Sequence, residues 1–243
     1  MTALKAAGIA LLFLGLRSGI ILSLQFLAKT KWADKTRIDK TAVTAEQESR
    51  EQRWIMGMLL DGAVLYFLLI SNFFNFTPHY WQNLGGFLLA HVFIVEPVYY
   101  VYHRLLHTRY LYKHHHILHH LSVVTRPVTS YTFTFLERLS YTFLFSVPVL
   151  VLNFTMGISL GALFTYYALF DVLNSMGHLN FEFFPYWYQK SFLKWVLYTP
   201  SFHRQHHKRY IKNYCLFMPI FDKIFGTVCP YTDQIYEQAK KGS

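Results

Sequence analysis

The sequence predicts an all-α integral membrane protein with about four to five transmembrane helices and a cytosolic, histidine-rich helical cap that holds a two-metal site. Hydrophobic residues make up 53% of the 243 residues and aromatic residues 19%, more apolar surface than an ordinary soluble domain carries. The apolar residues are gathered into segments long enough to cross a bilayer. The chain also holds 13 histidines, and most of them lie in three short motifs. These observations together predict the fold class.

The first three apolar segments predict one transmembrane helix each. The first covers residues 6–28 and is interrupted by Arg17. No small-residue cleavage site follows this segment, so we expect an anchoring helix rather than a signal peptide. The second runs from Trp54 to Ile70 and the third from Leu84 to Tyr102. Each is near the length that a tilted helix needs to cross the bilayer.

A longer apolar stretch from Leu139 to Leu173 predicts two further helices. It covers about 35 residues, whereas one crossing needs about 20. Pro148, Asn153 and Gly157 lie near its middle, and residues of these types favour turns. We therefore expect a hairpin of two membrane helices.

The distribution of Lys and Arg predicts the orientation. Residues 29–53 contain seven of them, residues 103–138 five, and the chain from Pro185 onward nine, whereas residues 71–83 carry no formal charge. The positive-inside rule places the three basic regions, and the histidine motifs with them, on the cytosolic side. Contact with anionic lipid headgroups accounts for the net charge of +10. Nucleic acid is excluded as a partner, since no basic helix, RNA-binding signature or zinc-finger spacing accompanies the charge.

Three histidine motifs predict metal ligands. HRLLH contains His103 and His107, HILHH contains His116, His119 and His120, and HRQHH contains His203, His206 and His207. Residues three and four apart lie on one face of a helix, so each motif directs its rings to one side. Neutral imidazole is the commonest protein ligand for iron, zinc and copper. Two metal ions with four or five protein ligands each require eight to ten donors, and the motifs supply eight.

Four further residues are candidates for the surroundings of the metals. His178, in NSMGHLN, follows the hairpin on the side of the motifs and is the best candidate for a ninth ligand. Asn174 precedes it by four residues, and its amide could hold a metal-bound water. His91 and Glu96 lie inside the third span, where each is costly unless it faces a protein cavity. We expect these two to orient ligands, with a bond to a neighbouring helix as the alternative.

Other histidines and both cysteines receive no site role. His79 lies on the opposite side of the membrane from the motifs. His114 and His115 extend the HHH run, but a helix that directs the HILHH histidines inward turns them partly away. Cys215 and Cys229 form no CxxC pair and belong to the cytosolic region, where thiols stay reduced.

The order HxxxH, HxxHH, membrane hairpin, HxxHH resembles the fatty acid hydroxylase and sterol desaturase superfamily of membrane di-iron oxygenases. Within it, EPVYYVYHRLLH, HHLSVVTRPVTS, NSMGHLNFE and YTPSFHRQHHKRYIKNYCLFMPIFDKIFGT are most similar to the plant eceriferum (glossy) wax-synthesis proteins. The resemblance is strongest from His91 to Thr227. It implies that the ligand set comprises the eight motif histidines and His178. Other branches often place a histidine where this chain has Asn174.

The resemblance also implies a single membrane domain over residues 1–243. Members of the wax branch usually continue into a second, soluble C-terminal domain, and the sequence as given ends at Ser243 without one. We therefore expect either a shortened chain or a short relative of that branch.

The activity implied by the resemblance is that of a non-haem di-iron, O2-dependent lipid oxidoreductase of the endoplasmic reticulum membrane. Imidazole ligation without carboxylates suits two Fe ions, and thiolates that favour structural zinc are absent from the motifs. The sequence has no GxGxxG motif, so electrons come from an external donor such as cytochrome b5 with its NAD(P)H reductase. The implied reaction is very-long-chain aldehyde decarbonylation in alkane and wax synthesis, with a homologous wax-synthesis subunit as a further partner.

Three alternatives stay open at this point. The same oxidant could hydroxylate or desaturate a fatty acyl chain or a sterol. A non-catalytic partner subunit of an active homologue is disfavoured, because such a subunit has no physical need to keep the motif histidines. A zinc-dependent membrane hydrolase is disfavoured because its site needs only three or four protein ligands. Metal analysis separates these alternatives. A hydroxylase or desaturase contains about two irons per chain, a non-catalytic subunit contains no metal, and a zinc hydrolase contains one zinc.

Overall fold

The computed structural model describes residues 1–241, and its longer elements in that range are all helices, which confirms the all-α class. The long helices are α1 Ala3–Leu27, α2 Trp54–Ile70, α3 Tyr80–Leu106, α4 Phe135–Thr155, α5 Leu160–Gly177, α6 Pro200–Arg209 and α7 Thr232–Lys241. Shorter helical segments are Lys31–Asp34, Ala45–Glu51, Arg109–Leu111, Ile117–His120, Pro127–Tyr131, Tyr186–Lys190, Phe192–Trp195 and Ile220–Ile224. Two π-helical turns, His91–Val95 within α3 and Tyr112–His116, complete the order.

Four helices are long and apolar enough to cross a membrane, so the chain is a multi-pass membrane protein. They are Ala3–Leu27, Ala45–Ile70, Tyr80–Leu106 and Phe135–Thr155. The second begins earlier than the sequence predicts, because the short helix that starts at Ala45 leads into α2. The third extends beyond the apolar residues at both ends, so the first histidine motif lies at the end of a transmembrane helix.

The predicted hairpin is present as the helices α4 and α5, joined by residues 156–159, but within residues 1–241 only α4 of the two is long and apolar enough to count as a candidate membrane span. Gly157 adopts φ +79°, and a Cβ there would lie 2.7 Å from the Asn75 carbonyl oxygen, so the turn requires glycine. The Asn153 amide accepts a hydrogen bond from Asn75 N (2.8 Å) and donates one to Phe73 O (3.0 Å). The turn is thereby fixed to the connection between α2 and α3. The Met1 amino group also reaches this connection, so α1 begins on the same face of the bundle.

A buried network of ion pairs joins the helices near Arg17, the residue that interrupts the first span. The Arg17 guanidinium forms two hydrogen bonds to the Asp171 carboxylate on α5 (2.6 and 2.8 Å) and one to Asp61 on α2 (2.5 Å). Arg138 on α4 also pairs with Asp61, and the Tyr131 hydroxyl donates to Asp171. Charges inside a membrane are tolerated when they are paired in this way. The network therefore connects four helices across the bundle.

Candidate metal centre

Nine histidine side chains converge at one end of the bundle, where α3 and α5 end and α6 begins. They form two groups: the five-histidine group, His103, His107, His116, His120 and His206, and the four-histidine group, His119, His178, His203 and His207. Within each group, one nitrogen atom from every ring lies within 4.8 Å of the others. All nine residues that the sequence predicts as ligands are brought together here.

Both HxxHH motifs divide between the two groups. His116 and His120 belong to the five-histidine group, whereas His119 belongs to the four-histidine group. The third motif also divides, but with the groups exchanged. Its middle histidine, His206, belongs to the five-histidine group, and His203 and His207 belong to the four-histidine group. The groups are adjacent, since the ring centres of His120 and His207 are 4.8 Å apart. Each motif faces one side, as predicted, but contributes donors to two positions.

The π-helical turn Tyr112–His116 sets the register of the second motif. It ends at His116, which is fully buried, and leads directly into Ile117–His120. A π turn inserts an extra residue into a helix, and such turns are frequent at functional sites. His114 lies on the exposed side of this turn. The extra residue thus rotates the third histidine of the HHH run inward.

The third motif is positioned by the capped first turn of α6. The Thr199 side chain accepts a hydrogen bond from Phe202 N, and Pro200 occupies the first helical position. Glu182 is buried beneath this turn and accepts bonds from the Ser201 backbone N–H (3.1 Å) and hydroxyl (2.7 Å). Burial raises the pKa of Glu182 to about 7 despite these donors. Helix α6 ends at Tyr210, which adopts the left-handed conformation (φ 61°) and packs against the His120 ring.

Hydrogen bonds to the outer ring nitrogens fix the tautomers of two neighbouring histidines. The Nδ1 atom of His103 is 2.9 Å from the Tyr214 carbonyl oxygen, and that of His116 is 2.5 Å from Glu137 Oε1. Carbonyl and carboxylate oxygens accept, so both Nδ1 atoms donate and both Nε2 atoms of the neutral rings carry lone pairs. These Nε2 atoms are only 3.1 Å apart. A cation bound between them removes the repulsion of the facing lone pairs, so the donor set fits a metal ion.

Two other imidazoles are oriented by backbone carbonyls. His178 Nδ1 donates to Asn174 O at 2.9 Å, and His206 Nδ1 donates to Lys212 O at 2.8 Å. Partners of this kind orient metal-ligating histidines and raise their basicity. Ring nitrogens without any hydrogen-bond partner are found on His107, His119, His120, His203, His206 and His207. Because buried polar atoms are normally paired, this accumulation of free nitrogens indicates ligand positions.

Burial keeps the imidazoles neutral. Burial lowers the pKa of His178 and His206 to about 4, against the opposing effect of the carbonyls of Asn174 and Lys212. Burial, followed by neighbouring imidazoles, also lowers the pKa values of His107, His116, His119, His120, His203 and His207. Neutral rings present the lone pairs that metal ions require.

The predicted surrounding residues have different positions from those expected. Asn174 orients His178 through its backbone oxygen, while its side chain donates to Ser130 O (3.3 Å). Glu96 accepts hydrogen bonds from Phe217 N (3.1 Å) and Met218 N (3.3 Å) and lies 3.5 Å from His91. The Glu96 carboxylate thus holds the backbone of a loop, and among the described residues it forms no hydrogen bond to any of the nine histidines.

His91 is also turned away from the nine histidines. Its Nδ1 atom is 3.0 Å from the Tyr166 hydroxyl, and its ring stacks on Phe217. His91 thus bonds the neighbouring helix α5 through Tyr166.

The loop of residues 213–222 supports the centre and was not recognised from the sequence as doing so. The Asp222 carboxylate accepts hydrogen bonds from Tyr214 N (2.7 Å) and Cys215 N (2.8 Å). This fixes the Tyr214 carbonyl oxygen, which is the partner of His103. Glu137 was missed as well, although it is the only side-chain carboxylate bonded to one of the nine imidazoles in the hydrogen bonds described for residues 1–241.

The residues to which no site role was given lie outside both groups. His114 and His79 are exposed, and His79 belongs to the connection between α2 and α3 at the far face of the bundle. His115 is half-buried, and its carbonyl oxygen accepts the Thr134 hydroxyl. Cys215 and Cys229 are buried free thiols.

A mostly apolar cavity lies in the helix bundle beside the centre, and among the described residues none of the nine histidines lines it. Near the histidines it is lined by Tyr99, Phe133 and Asn174, and at the far end by Leu68 and Phe74. Its volume is about 90 Å³, well below the roughly 300 to 1,000 Å³ of typical small-molecule sites. The apolar lining suits a hydrocarbon segment beside the histidines, and a long chain requires the cavity walls to move apart.

Comparison with known proteins is consistent with this arrangement. Residues 88–227 match the family model described as fatty acid hydroxylase. The chain is 37% identical over 213 residues to the very-long-chain aldehyde decarbonylase GL1-4 of Oryza sativa subsp. indica, covering 86% of this chain and 34% of that protein. It is 37% identical over 209 residues to the very-long-chain aldehyde decarbonylase CER1 of Arabidopsis thaliana, covering 84% and 33%. With Protein CER1-like 1 of Arabidopsis thaliana the identity is 38% over 208 residues, covering 83% and 33%.

The chain therefore spans about a third of the length of the curated relatives it matches. No solved structure matches the chain.

Proposed function

The chain belongs to the fatty acid hydroxylase family, and on this basis we propose that it is a membrane lipid oxidoreductase whose nine histidines hold two iron ions. The observation that carries the proposal is the facing of two Nε2 lone pairs, on His103 and His116, beside an apolar cavity. The metal position and the opening for a hydrocarbon chain are thus adjacent.

We assign one ion to each histidine group. The five-histidine and four-histidine groups together offer nine neutral nitrogen donors, and neither group contains a thiolate or a carboxylate. Imidazole donors suit iron, whereas a structural zinc site is closed by four ligands and often uses thiolates. When bound, two ferrous ions supply the reductive activation of dioxygen.

The protein side chains orient the ligands and shape the site for the substrate. Glu137 and the carbonyl groups of Asn174, Lys212 and Tyr214 hold four of the imidazoles with their Nε2 atoms inward. Phe133 and Tyr99 form the wall between the cavity and the rings of His119 and His103. The hydrocarbon chain is held away from water by the apolar residues beyond them.

Very-long-chain aldehyde decarbonylation is the reaction we propose first, because two of the relatives described above carry that name. Its product is a hydrocarbon one carbon shorter, as alkane and wax synthesis require. Hydroxylation or desaturation of an acyl chain or sterol is the second candidate, and the description of the family model favours it.

The electron donor and the location follow from the same proposal. We propose a cytochrome b5-like donor with its NAD(P)H reductase, an endoplasmic reticulum membrane, and a histidine centre that faces the cytosol. The basic connections on the histidine side support this orientation by the positive-inside rule. A homologous wax-synthesis subunit is a further proposed partner.

The test is a product assay on purified, iron-loaded protein. It is incubated with O2, NADH, cytochrome b5, its reductase, and a panel of long-chain aldehydes, fatty acids and sterols, and metal content is measured in the same preparation. We expect about two irons per chain and an alkane shorter by one carbon.

Other products have defined meanings. Gain of one oxygen identifies a hydroxylase, and loss of two hydrogens identifies a desaturase. One zinc per chain, or bound iron without oxygen consumption on any substrate, contradicts the proposal and supports a hydrolase or a non-catalytic subunit respectively.

A further inference from the structure

The cavity meets the metal centre at a cluster of three aromatic rings. Phe133 stacks on His119 with 5.1 Å between ring centres, and Tyr99 is 5.0 Å from His103. Tyr141 packs against both of these aromatic residues, at 4.9 Å from Phe133 and 5.5 Å from Tyr99. All three aromatic residues line the cavity. A molecule that reaches the centre through the cavity passes Tyr141.

The Tyr141 hydroxyl is buried and has no hydrogen-bond partner. The Glu137 carboxylate and the Tyr99 hydroxyl lie close enough to interact with it, although within residues 1–241 neither forms a hydrogen bond of regular geometry with it, and Glu137 Oε2 is itself unpartnered. An unsatisfied buried polar group costs free energy, so native proteins rarely keep one without a use. A ligand oxygen beside Tyr141 would complete this arrangement.

Several other polar side chains on the cavity wall are engaged within the protein, although Arg138 Nε is unpartnered. Arg17 and Arg138 are ion-paired, and the Ser146 hydroxyl donates to Thr142 O at 2.7 Å. Tyr141 therefore differs from these residues in offering a free O–H donor close to the histidines.

We propose that the Tyr141 hydroxyl donates a hydrogen bond to the oxygen atom of the substrate's polar end group. This positions a carbonyl-bearing end at the metals and an alkyl tail in the cavity. The inference deepens the proposed function and rests on it. Tyr141 is a specificity-determining residue in this proposal, since it distinguishes the two ends of a long molecule that otherwise offers only methylene groups.

The test compares two ligands of equal chain length, octadecanal and octadecane, on the full chain in nanodiscs with iron and without reductant. Binding is measured by displacement of a fluorescent fatty acid analogue. Tyr141→Phe should weaken octadecanal binding about fivefold, the effect of one neutral hydrogen bond, and leave octadecane binding unchanged. Tyr102→Phe is the matched control, because Tyr102 packs on the Tyr141 ring but does not line the cavity.

Each outcome decides for or against the inference. Equal weakening of both ligands means that Tyr141 acts only in packing, and unchanged octadecanal affinity means that its hydroxyl is not used. Failure of octadecanal to displace the analogue from the wild-type protein also overturns the inference. Because binding is measured without turnover, these results are separate from the product assay. Alkane formation from octadecanal at the wild-type level by the Tyr141→Phe variant overturns this inference alone, whereas selective binding of octadecanal without any product overturns the proposed reaction.

Discussion

Glu137 is the side chain outside the nine histidines that most directly controls their geometry. Its carboxylate accepts the Nδ1–H of His116 at 2.5 Å, and it is fully buried. Glu137→Ala removes this acceptor, so we expect activity to fall about 10-fold to 100-fold and iron content to decrease. Glu137→Gln keeps an acceptor oxygen and should lose less. Iron per chain and product formation are the measurements.

The control for this change is Glu46→Gln, an exposed carboxylate in the short helix Ala45–Glu51. It should leave both quantities at the wild-type level. Full iron content and activity in Glu137→Ala would show that His116 keeps its orientation without a carboxylate.

The ligand assignment predicts a sharp difference between histidines that are close in sequence. His119→Ala and His206→Ala each remove a donor from one group and should abolish product formation, while the protein remains in the membrane because its helices are held by lipid and by one another. His114→Ala and His79→Ala remove exposed rings outside both groups and should retain most of the activity. Product formation and membrane abundance are measured for all four. Wild-type turnover in both ligand variants would refute the assignment.

The grouping of the nine histidines could be predicted because the spacing within each motif is local, whereas the groups that hold their rings could not. The positions of the rings in HILHH follow from helical geometry over a few residues, and this spacing can be read directly from the sequence. The carbonyl oxygen of Tyr214 lies 111 residues from its partner His103, and a carbonyl group has no sequence signature. Asn174 was identified by its side chain but acts through its backbone oxygen. These contacts depend on tertiary packing.

At the scale of helices, some features of the membrane bundle could likewise be predicted from the sequence and others could not. Apolar length predicts the spans and the hairpin, because the thickness of a bilayer fixes both. The partners of Arg17 were not predicted, since Asp61 and Asp171 are 44 and 154 residues away. An isolated charge in an apolar segment indicates that a partner exists but does not identify it.

The ion-pair network predicts a large effect of a single change. Arg17→Met leaves the carboxylates of Asp61 and Asp171 short of a partner inside the bundle. We expect a loss of about 3 to 5 kcal/mol in stability, seen as a lower Tm in detergent. The double variant Arg17→Met with Asp171→Asn should recover part of this loss. An unchanged Tm in the single variant would show that the network contributes little to stability.

The first turn of α6 predicts a dependence of stability on pH. The pKa of buried Glu182 is about 7 in the folded protein, above its ordinary value of 4.5. The contribution of Glu182 to the free energy of unfolding is therefore fully present below about pH 4.5 and is lost as the pH rises to about 7. The reason is that ionisation of the buried carboxyl group favours unfolding. The difference of about 2.5 pKa units corresponds to about 3 kcal/mol.

Glu182→Gln cannot ionise, so its Tm relative to the wild-type protein should increase between about pH 5 and pH 8. Thermal unfolding at several pH values measures this difference. The exposed Glu237→Gln variant serves as the control and should give a constant difference. Parallel curves for Glu182→Gln and the wild-type protein would contradict the raised pKa.

At the scale of the whole molecule, the alternating helices place the histidine centre and the α2 to α3 connection at opposite ends of the bundle. The proposed orientation therefore predicts opposite labelling of two exposed positions. After replacement of the buried Cys215 and Cys229, a cysteine at Lys113 should react with an impermeant thiol reagent from the cytosol, and one at His79 only from the lumen. The reversed pattern would invert the orientation.

Accessibility decides which position on the cytosolic side is suitable for labelling. Ser122 belongs to a region that the sequence places on the cytosolic side, yet its side chain is fully buried. A probe there would fail to react for reasons unrelated to topology, so Lys113 is the better position.

The division of the histidines along the chain determines when the centre can be completed during protein synthesis. Once residue 120 has been translated, the five-histidine group lacks only His206, whereas the four-histidine group has only His119. The membrane hairpin must then be inserted before His178 follows, and the third motif supplies the remaining donors of both groups together. If the centre holds metal as proposed, full loading comes late in biogenesis, after the hairpin of α4 and α5 has formed and Pro200–Arg209 has folded against it.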